Sequence, residues 1–259
     1  GFFPAEALKN QAGLDNGKLM PTWWEANNKK LKMIDLRSDV GQQKYYGVQR
    51  LKPHYRLSGN QLNLLDAFGV VKDGGKYGKG YVYGTRVVKA YEWFFYCHFY
   101  QDPVMPGSLG VEAILQAMQA YALESGLGSD FVNPRFTQVD AHKTVWKYRG
   151  QFLRYEDDLR LEVNIKSVEP LSMSATVDKV GRRVNIVGDA SVGKGGLRIY
   201  EVKDLGICVE EGDAVVKPLS RSATVDKVKR NFDNGLQPCQ QLSGLATGEK
   251  EINTVLRNL

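Results

Sequence analysis

The stretch best equipped for chemistry is residues 93–123, WFFYCHFYQDPVMPGSLGVEAILQAMQAYAL. His98 sits in a dense aromatic run, and imidazole is the side chain that gives or takes a proton near neutral pH. Glu112 is the one acid on an otherwise apolar run. A carboxyl among apolar groups favours its protonated form, so it can donate a proton. Gln116 follows one helical turn later on the same face, where its amide can hydrogen-bond the carboxyl and orient it. Gly107 and Ser108 open the run, and the backbone N–H groups at a helix start offer a place for negative charge, reinforced by the helix dipole. A lone histidine among aromatics is more often a hydrogen-bonded core residue, whereas an acid in an apolar helix is rarer because its burial is costly. The combination argues for a site. Tyr96 and Cys97, beside the histidine, suit either the lining of a substrate channel or core packing. Asp102, ahead of a proline, reads as a shaper of the loop through an Asx-type turn. His54 and His142 have no comparable setting.

These groups need elements to hold them. Residues 93–100 are rich in aromatics and predict a buried strand, which Pro103 and Pro106 would stop. Gly107 and Ser108 then predict a turn and N-cap. Leu109, Val111, Ile114, Leu115, Met118, Tyr121 and Leu123 cover most faces of a helix of about 16 to 18 residues, and a helix apolar on most sides must be buried. Residues 125–128 supply its C-cap. Upstream, 60–68 predicts a short helix, 69–72 a strand, 72–76 a hairpin turn and 77–90 a long strand. The glycines of GGKYGKG do not have phosphate-loop spacing and no helix follows them. Downstream, 144–155, 158–168, 185–193 and 197–209 predict strands, with turns at 156–157 and 195–196. Strands meeting at tight turns make an antiparallel sheet.

Residues 1–53 show no pattern long enough for an independent core. Residues 5–11 suit a short helix, and Trp23, Trp24 and 33–36 offer isolated apolar anchors, so this part reads as an extension or linker packed on the main domain. The organisation expected is 1–53 extension, 54–212 main domain and 213–259 C-terminal extension or linker. The seven residues 174–180 recur as 222–228, too short a match for a repeat architecture. The chain begins at glycine rather than methionine, which reads as a piece of something longer.

Composition excludes several classes of function. With 42% hydrophobic and 25% charged residues, the 259-residue chain is ordinary for a globular protein of one or two domains. No apolar run approaches the roughly 20 residues of a membrane span. Cys97, Cys208 and Cys239 are too few and too scattered for a disulfide framework, and none forms a CxxC zinc pair. A cytoplasmic setting fits. The net charge of +6 is spread without a basic stripe, which argues against nucleic acid and allows an acidic protein partner.

Several motifs together resemble one family. His98 and Phe99, the DPVMPG of 102–107, Leu109, Gly110, Glu112 and Gln116 resemble the active-site stretch of FabA-type β-hydroxyacyl-acyl-carrier-protein dehydratases. The likeness runs upstream through 63–66 and 74–82 and downstream to 197–200 and 204–205, about residues 54–210 in all. The wording HFYQDPVMPGSLGVEA is most similar to the dehydratase domains of polyunsaturated fatty acid synthases, which are polyketide-synthase-like multienzymes. The resemblance implies an α+β hotdog fold, a curled antiparallel β-sheet wrapped around one long central α-helix. It implies dehydration of (3R)-hydroxyacyl thioesters, carried on the phosphopantetheine of an acyl carrier protein, to trans-2-enoyl thioesters. His98 would be the base, Glu112 the acid and the Gly107 amide the oxyanion donor. Gln116, Cys97 and Tyr96 would adjoin the substrate, with no metal or bound cofactor. In such proteins histidine and acid come from two paired hotdogs, so a homodimer or a neighbouring hotdog domain is implied. FabA itself carries aspartate where this chain has Glu112, so dehydration is implied more firmly than double-bond isomerisation. A non-catalytic hotdog for dimerisation or carrier docking, and a hotdog thioesterase, remain the alternatives.

Overall fold

A computed structural model describes residues 13–99, 101–139, 143–154, 157–171 and 181–212. The expected helix at 5–11, Tyr100, His142, Glu156, the 174–180 and 222–228 segments, Cys239 and the tail from 213 lie outside the described residues.

Elements are numbered in chain order: α1 Trp23–Ala26, β1 Ile34–Asp35, α2 Asp39–Gly41 running into a π-turn Gln42–Tyr46, β2 Ala67–Val71, β3 Tyr81–Val88, α3 Gly107–Ser125, β4 Arg135–Gln138, β5 Val145–Tyr148, β6 Asp157–Leu171, β7 Arg183–Lys194 and β8 Leu197–Glu210. The sheet order is β1-β2-β3-β6-β7-β8-β4, with β5 also on β8, and every pairing is antiparallel. This curled sheet around α3 is the hotdog fold that the resemblance implies.

The reason α3 is central lies in its sequence. Ala113, Ile114, Ala117, Met118, Ala120 and Ala122 are fully buried, and the alanines let the sheet approach closely. The helix packs on β2, β3, β6, β7 and β8. At Gly110 a Cβ would lie 2.1 Å from Cε2 of the buried Tyr200, so only glycine permits the contact with β8. Gly126 ends the helix in the left-handed region at φ 70°, a conformation that glycine adopts without a steric penalty.

In the sheet, β7 alternates buried and half-buried residues along its length, as a strand with one face on the core must. Gly195 and Gly196, at φ +54° and +86°, close the β7–β8 hairpin as the positive-φ pair of a two-residue turn. The curl comes at register shifts between Ile165 and Ser167 and between Gly188 and Ala190, since a bulge bends and twists its strand. Asp204 takes φ 57° beside the second shift. Its N–H donates to Asp189 Oδ1 at 3.0 Å, and Lys166 Nζ lies 2.5 Å from Asp204 and 3.4 Å from Asp189.

The N-terminal anchors are used on both faces of the sheet. Leu36 and Tyr45 join the core. Trp23 packs on Tyr81 with centroids 4.8 Å apart, and Trp24 on Tyr83 at 5.8 Å. Trp23 N–H and the Tyr81 hydroxyl both donate to Glu162 Oε2 at 2.8 Å.

Some expectations need correction. The strand expected at 93–100 does not form over its described residues, 93–99: Trp93–Tyr96 is a 3₁₀ turn with Phe94 and Phe95 both buried, and two consecutive inward side chains do not fit period-two alternation. The helix expected at 60–68 is only a 3₁₀ turn, Asn60–Leu62. The strand at 77–90 is confined to Tyr81–Val88, because the positive-φ glycines 75, 78 and 80 occupy the preceding turn. Over its described residues, 144–154, the strand expected at 144–155 is confined to Val145–Tyr148. β4 is a strand where none was expected.

Two acidic residues tie segments together and make the fold sensitive to acid. Arg198 grips Asp15 through Nη2 and Nε at 2.7 and 2.9 Å and holds its carboxyl below the usual range. Arg182, with help from the Val132 N–H, holds Glu211 down to about 2. Groups more acidic in the folded chain than in the unfolded one add stability that is complete above their unfolded values and is lost as pH falls through the folded ones. The melting temperature should therefore drop between about pH 4.5 and pH 2. Replacing both Arg182 and Arg198 with alanine should flatten that drop, measured by thermal unfolding across the range. An equal slope in the variant would contradict this.

Candidate active site

His98 follows the Trp93–Tyr96 turn, and its N–H donates to Phe94 O at 2.9 Å. The side chain is half-buried, and Nδ1 lies 3.0 Å from Val104 O. A carbonyl only accepts, so that bond places the proton on Nδ1 and leaves Nε2 of the neutral ring with a free lone pair. The carbonyl is itself held in place. Val104 bridges Leu153, and Met105 N–H donates to Phe152 O at 3.0 Å. Phe99 and Gln101 take φ 55° and 63°, and the Phe99 ring lies 4.1 Å from the imidazole. Positive φ at a bulky residue is costly and collects at functional loops. Asp102 is exposed and forms no Asx-type bond among the described residues, so the proline pair and the Leu153 bridge shape the loop instead.

Gly107 begins α3, with Pro106 rather than Ser108 at the N-cap and no capping side chain. The first-turn N–H groups are thus left without intrahelical partners, apart from Leu109 N–H, which reaches Pro106 O at 3.0 Å. A Cβ on Gly107 would lie 3.1 Å from the Trp146 ring. Serine's hydroxyl being elsewhere, the Gly107 N–H is an uncapped donor at the positive end of the helix.

Glu112 is half-buried, and its Oε1 accepts from Gln116 Nε2 at 3.0 Å, as the one-turn spacing predicts. Gln116 is fully buried. Its Nε2 also donates to Leu62 O at 2.7 Å, and its Oε1 accepts from Leu64 N–H at 3.1 Å. The amide is therefore spent on orienting Glu112 and fastening 62–64, and it does not reach a substrate surface.

Glu112 opens on a groove of about 510 Å³ between α3 and the β4 end of the sheet, lined also by Leu62, Leu109, Leu115, Gln119, Phe136 and Ile207. Among the described residues, His98, Tyr96 and Cys97 do not line it. Tyr96 is exposed, and its hydroxyl accepts from Arg154 Nη2 at 2.7 Å. Cys97 is exposed as well, as is His54. One chain thus gathers Glu112, Gln116 and the helix start at one place and carries His98 on the adjoining loop. Sequence reasoning missed the β4 wall and Gln119, because a four-residue strand after Pro134 leaves too short a pattern to read. No cluster of three or more histidine, cysteine or acidic side chains fit for a metal occurs among the described residues. No described helix is long and apolar enough to cross a membrane.

Comparison with known proteins bears on this geometry. The family model of the FabA-like domain matches residues 57–203. A polyunsaturated fatty acid synthase polypeptide from a Thraustochytrium species is 32% identical over 219 residues, which is 82% of this chain and 14% of that protein. The chain thus spans about a seventh of the length of that relative. Among solved structures, the dehydratase heterocomplex ApeI:P from Xenorhabdus doucetiae is similar at 10% identity and TM-score 0.39, over 68% of this chain and 95% of its own. Cj0977, a sigma28-regulated virulence protein from Campylobacter jejuni, is similar at 11% identity and TM-score 0.29, over 51% and 70%.

Proposed function

The chain belongs to the FabA-like family, and from that premise we propose that it is a hydro-lyase removing water from (3R)-hydroxyacyl thioesters to give trans-2-enoyl thioesters. The observation that carries the reading is the fixed tautomer of His98, whose Nδ1 is committed to Val104 O. Nε2 is then a base suited to take the C2 proton of the substrate. Glu112, oriented by Gln116, gives its proton to the departing C3 hydroxyl, which leaves as water. The electrons of the broken C2–H bond form the new double bond. The Gly107 N–H, uncapped at the start of α3, holds the charge that gathers on the thioester oxygen. No metal or organic cofactor is required by these steps.

The Glu112 groove is lined without His98 of the same chain. We therefore read the site as composite, with His98 supplied by a second hotdog, either another copy or a neighbouring domain of a larger synthase. Pairing also covers sheet edge and helix surface that one hotdog leaves open. The acyl group would arrive on the phosphopantetheine of an acyl carrier protein, in polyunsaturated fatty acid or polyketide synthesis in the cytoplasm. The hotdog domain is assigned to 54–212, with 1–53 and 213–259 as extensions. Incubation with a crotonyl thioester tests the reading: hydration should remove the absorbance of the conjugated double bond, and unchanged absorbance at high enzyme concentration would refute it.

A further inference from the structure

The segment 61–64 is gripped from several directions. Trp93 Nε1 donates to Gln61 O at 3.0 Å, Gln116 Nε2 to Leu62 O at 2.7 Å, and the Arg86 guanidinium to Asn63 O. Leu64 N–H returns a bond to Gln116 Oε1 at 3.1 Å, and the Tyr46 hydroxyl donates to Asn63 Oδ1 at 2.9 Å. Arg86 comes from β3, in the inward row with Val82 and Val88, and is 9% exposed. Its Nη2 donates to Glu92 Oε1 at 2.7 Å, and the two side chains are 10% and 14% exposed. Glu92 is the residue that leads into the Trp93–Tyr96 turn, whose Phe94 carbonyl accepts the His98 N–H.

A charge pair so deep in a core is expensive, and for the fold alone an apolar pair of similar volume serves as well. What the guanidinium supplies is geometry. Its planar fork addresses two acceptors at a set spacing: the Asn63 carbonyl, which adjoins the residues that hold Gln116, and the carboxylate at the head of the His98 turn. We propose that Arg86 and Glu92 are a positioning pair, which fixes Gln116, and through it Glu112, to the same frame as the turn that carries this chain's own His98, so that each of the two residues is set for the composite site it enters. The geometry stands independently of the dehydratase reading; the kinetic consequence rests on that reading.

The test uses the full chain with Arg86→Met, Arg86→Lys, Gln116→Ala and the double variant Arg86→Met with Gln116→Ala. One readout is the side-chain amide resonance of Gln116 in a nitrogen–proton NMR spectrum. The other is kcat and KM for crotonyl thioester hydration. In the parent the Gln116 amide protons should be sharp and slow to exchange, being bonded on both sides. In Arg86→Met they should shift and exchange faster, with kcat down about tenfold and KM within about twofold. The double variant should be no slower than Gln116→Ala, because both changes act on Glu112 through one path. If Arg86→Met does not fold, Arg86→Lys carries the same comparison, since its single ammonium lacks the fork. An unmoved Gln116 amide, or losses in kcat that multiply, would overturn the proposal. A parent that is itself inactive would sink the dehydratase reading, while the amide resonances would still decide the positioning role.

Discussion

Replacing His98 with alanine should lower hydration of a crotonyl thioester by about 10³-fold or more, in keeping with the loss of a positioned base, while the fold survives. The change deletes Nε2, the lone pair left free by the bond from Nδ1 to Val104 O. Its structural cost is one hydrogen bond at a half-buried position, worth about 1 kcal/mol, together with the ring contact to the exposed Phe99, while Val104 stays bridged to Leu153 and Met105 to Phe152. Activity and thermal unfolding should thus separate: turnover collapses and the melting temperature barely moves. A His98→Ala protein with the turnover of the parent would remove the histidine from the chemistry and leave it a core residue that happens to face a carbonyl.

Glu112→Gln should cost roughly 100-fold or more in dehydration, because it removes the transferable proton and little else. The side chain keeps its length, and the new amide oxygen can still accept from Gln116 Nε2, as Glu112 Oε1 does at 3.0 Å. Glu112→Asp should fall between parent and Glu112→Gln. It keeps an acid but withdraws it by one methylene, from the groove and from the Gln116 amide alike. Steady-state rates of the three proteins on one substrate check the order. If Glu112→Gln were as fast as the parent, the residue would be a polar anchor between α3 and Leu62, and another group or a water would have to protonate the leaving hydroxyl.

How much of this was legible from residues alone depends on the range over which each signal acts. The course of α3 was readable, because its apolar coverage, the Gly126 stop and the Glu112–Gln116 spacing are all local to one helix. So was the β7–β8 hairpin, set by Gly195 and Gly196. The turn carrying His98 was not. Aromatic density favours a strand in general, yet Phe94 and Phe95 enter the core side by side, and only the packing around them decides between strand and turn. The N-terminal anchors were visible as Trp23, Trp24 and Leu36, but not that they flank both faces of the sheet, since those contacts join residues far apart in sequence. The Arg86 bracket was hidden for the same reason. The Asn63 carbonyl lies 23 residues from Arg86, and although Glu92 is only six away, it belongs to the next element, so no local period pairs the two.

The central claim, that His98 and Glu112 together remove water from a carrier-bound hydroxyacyl thioester, is tested most directly by the mass of the carrier protein after incubation. A (3R)-hydroxyacyl carrier protein mixed with this chain should lose one water, with the acyl group still attached and a conjugated double bond formed, and the His98→Ala protein should leave the mass unchanged. Release of free hydroxy acid would mark a thioesterase instead. A carrier that binds and returns with its mass unaltered by the parent would mark a hotdog without catalysis, and either result would contradict the account.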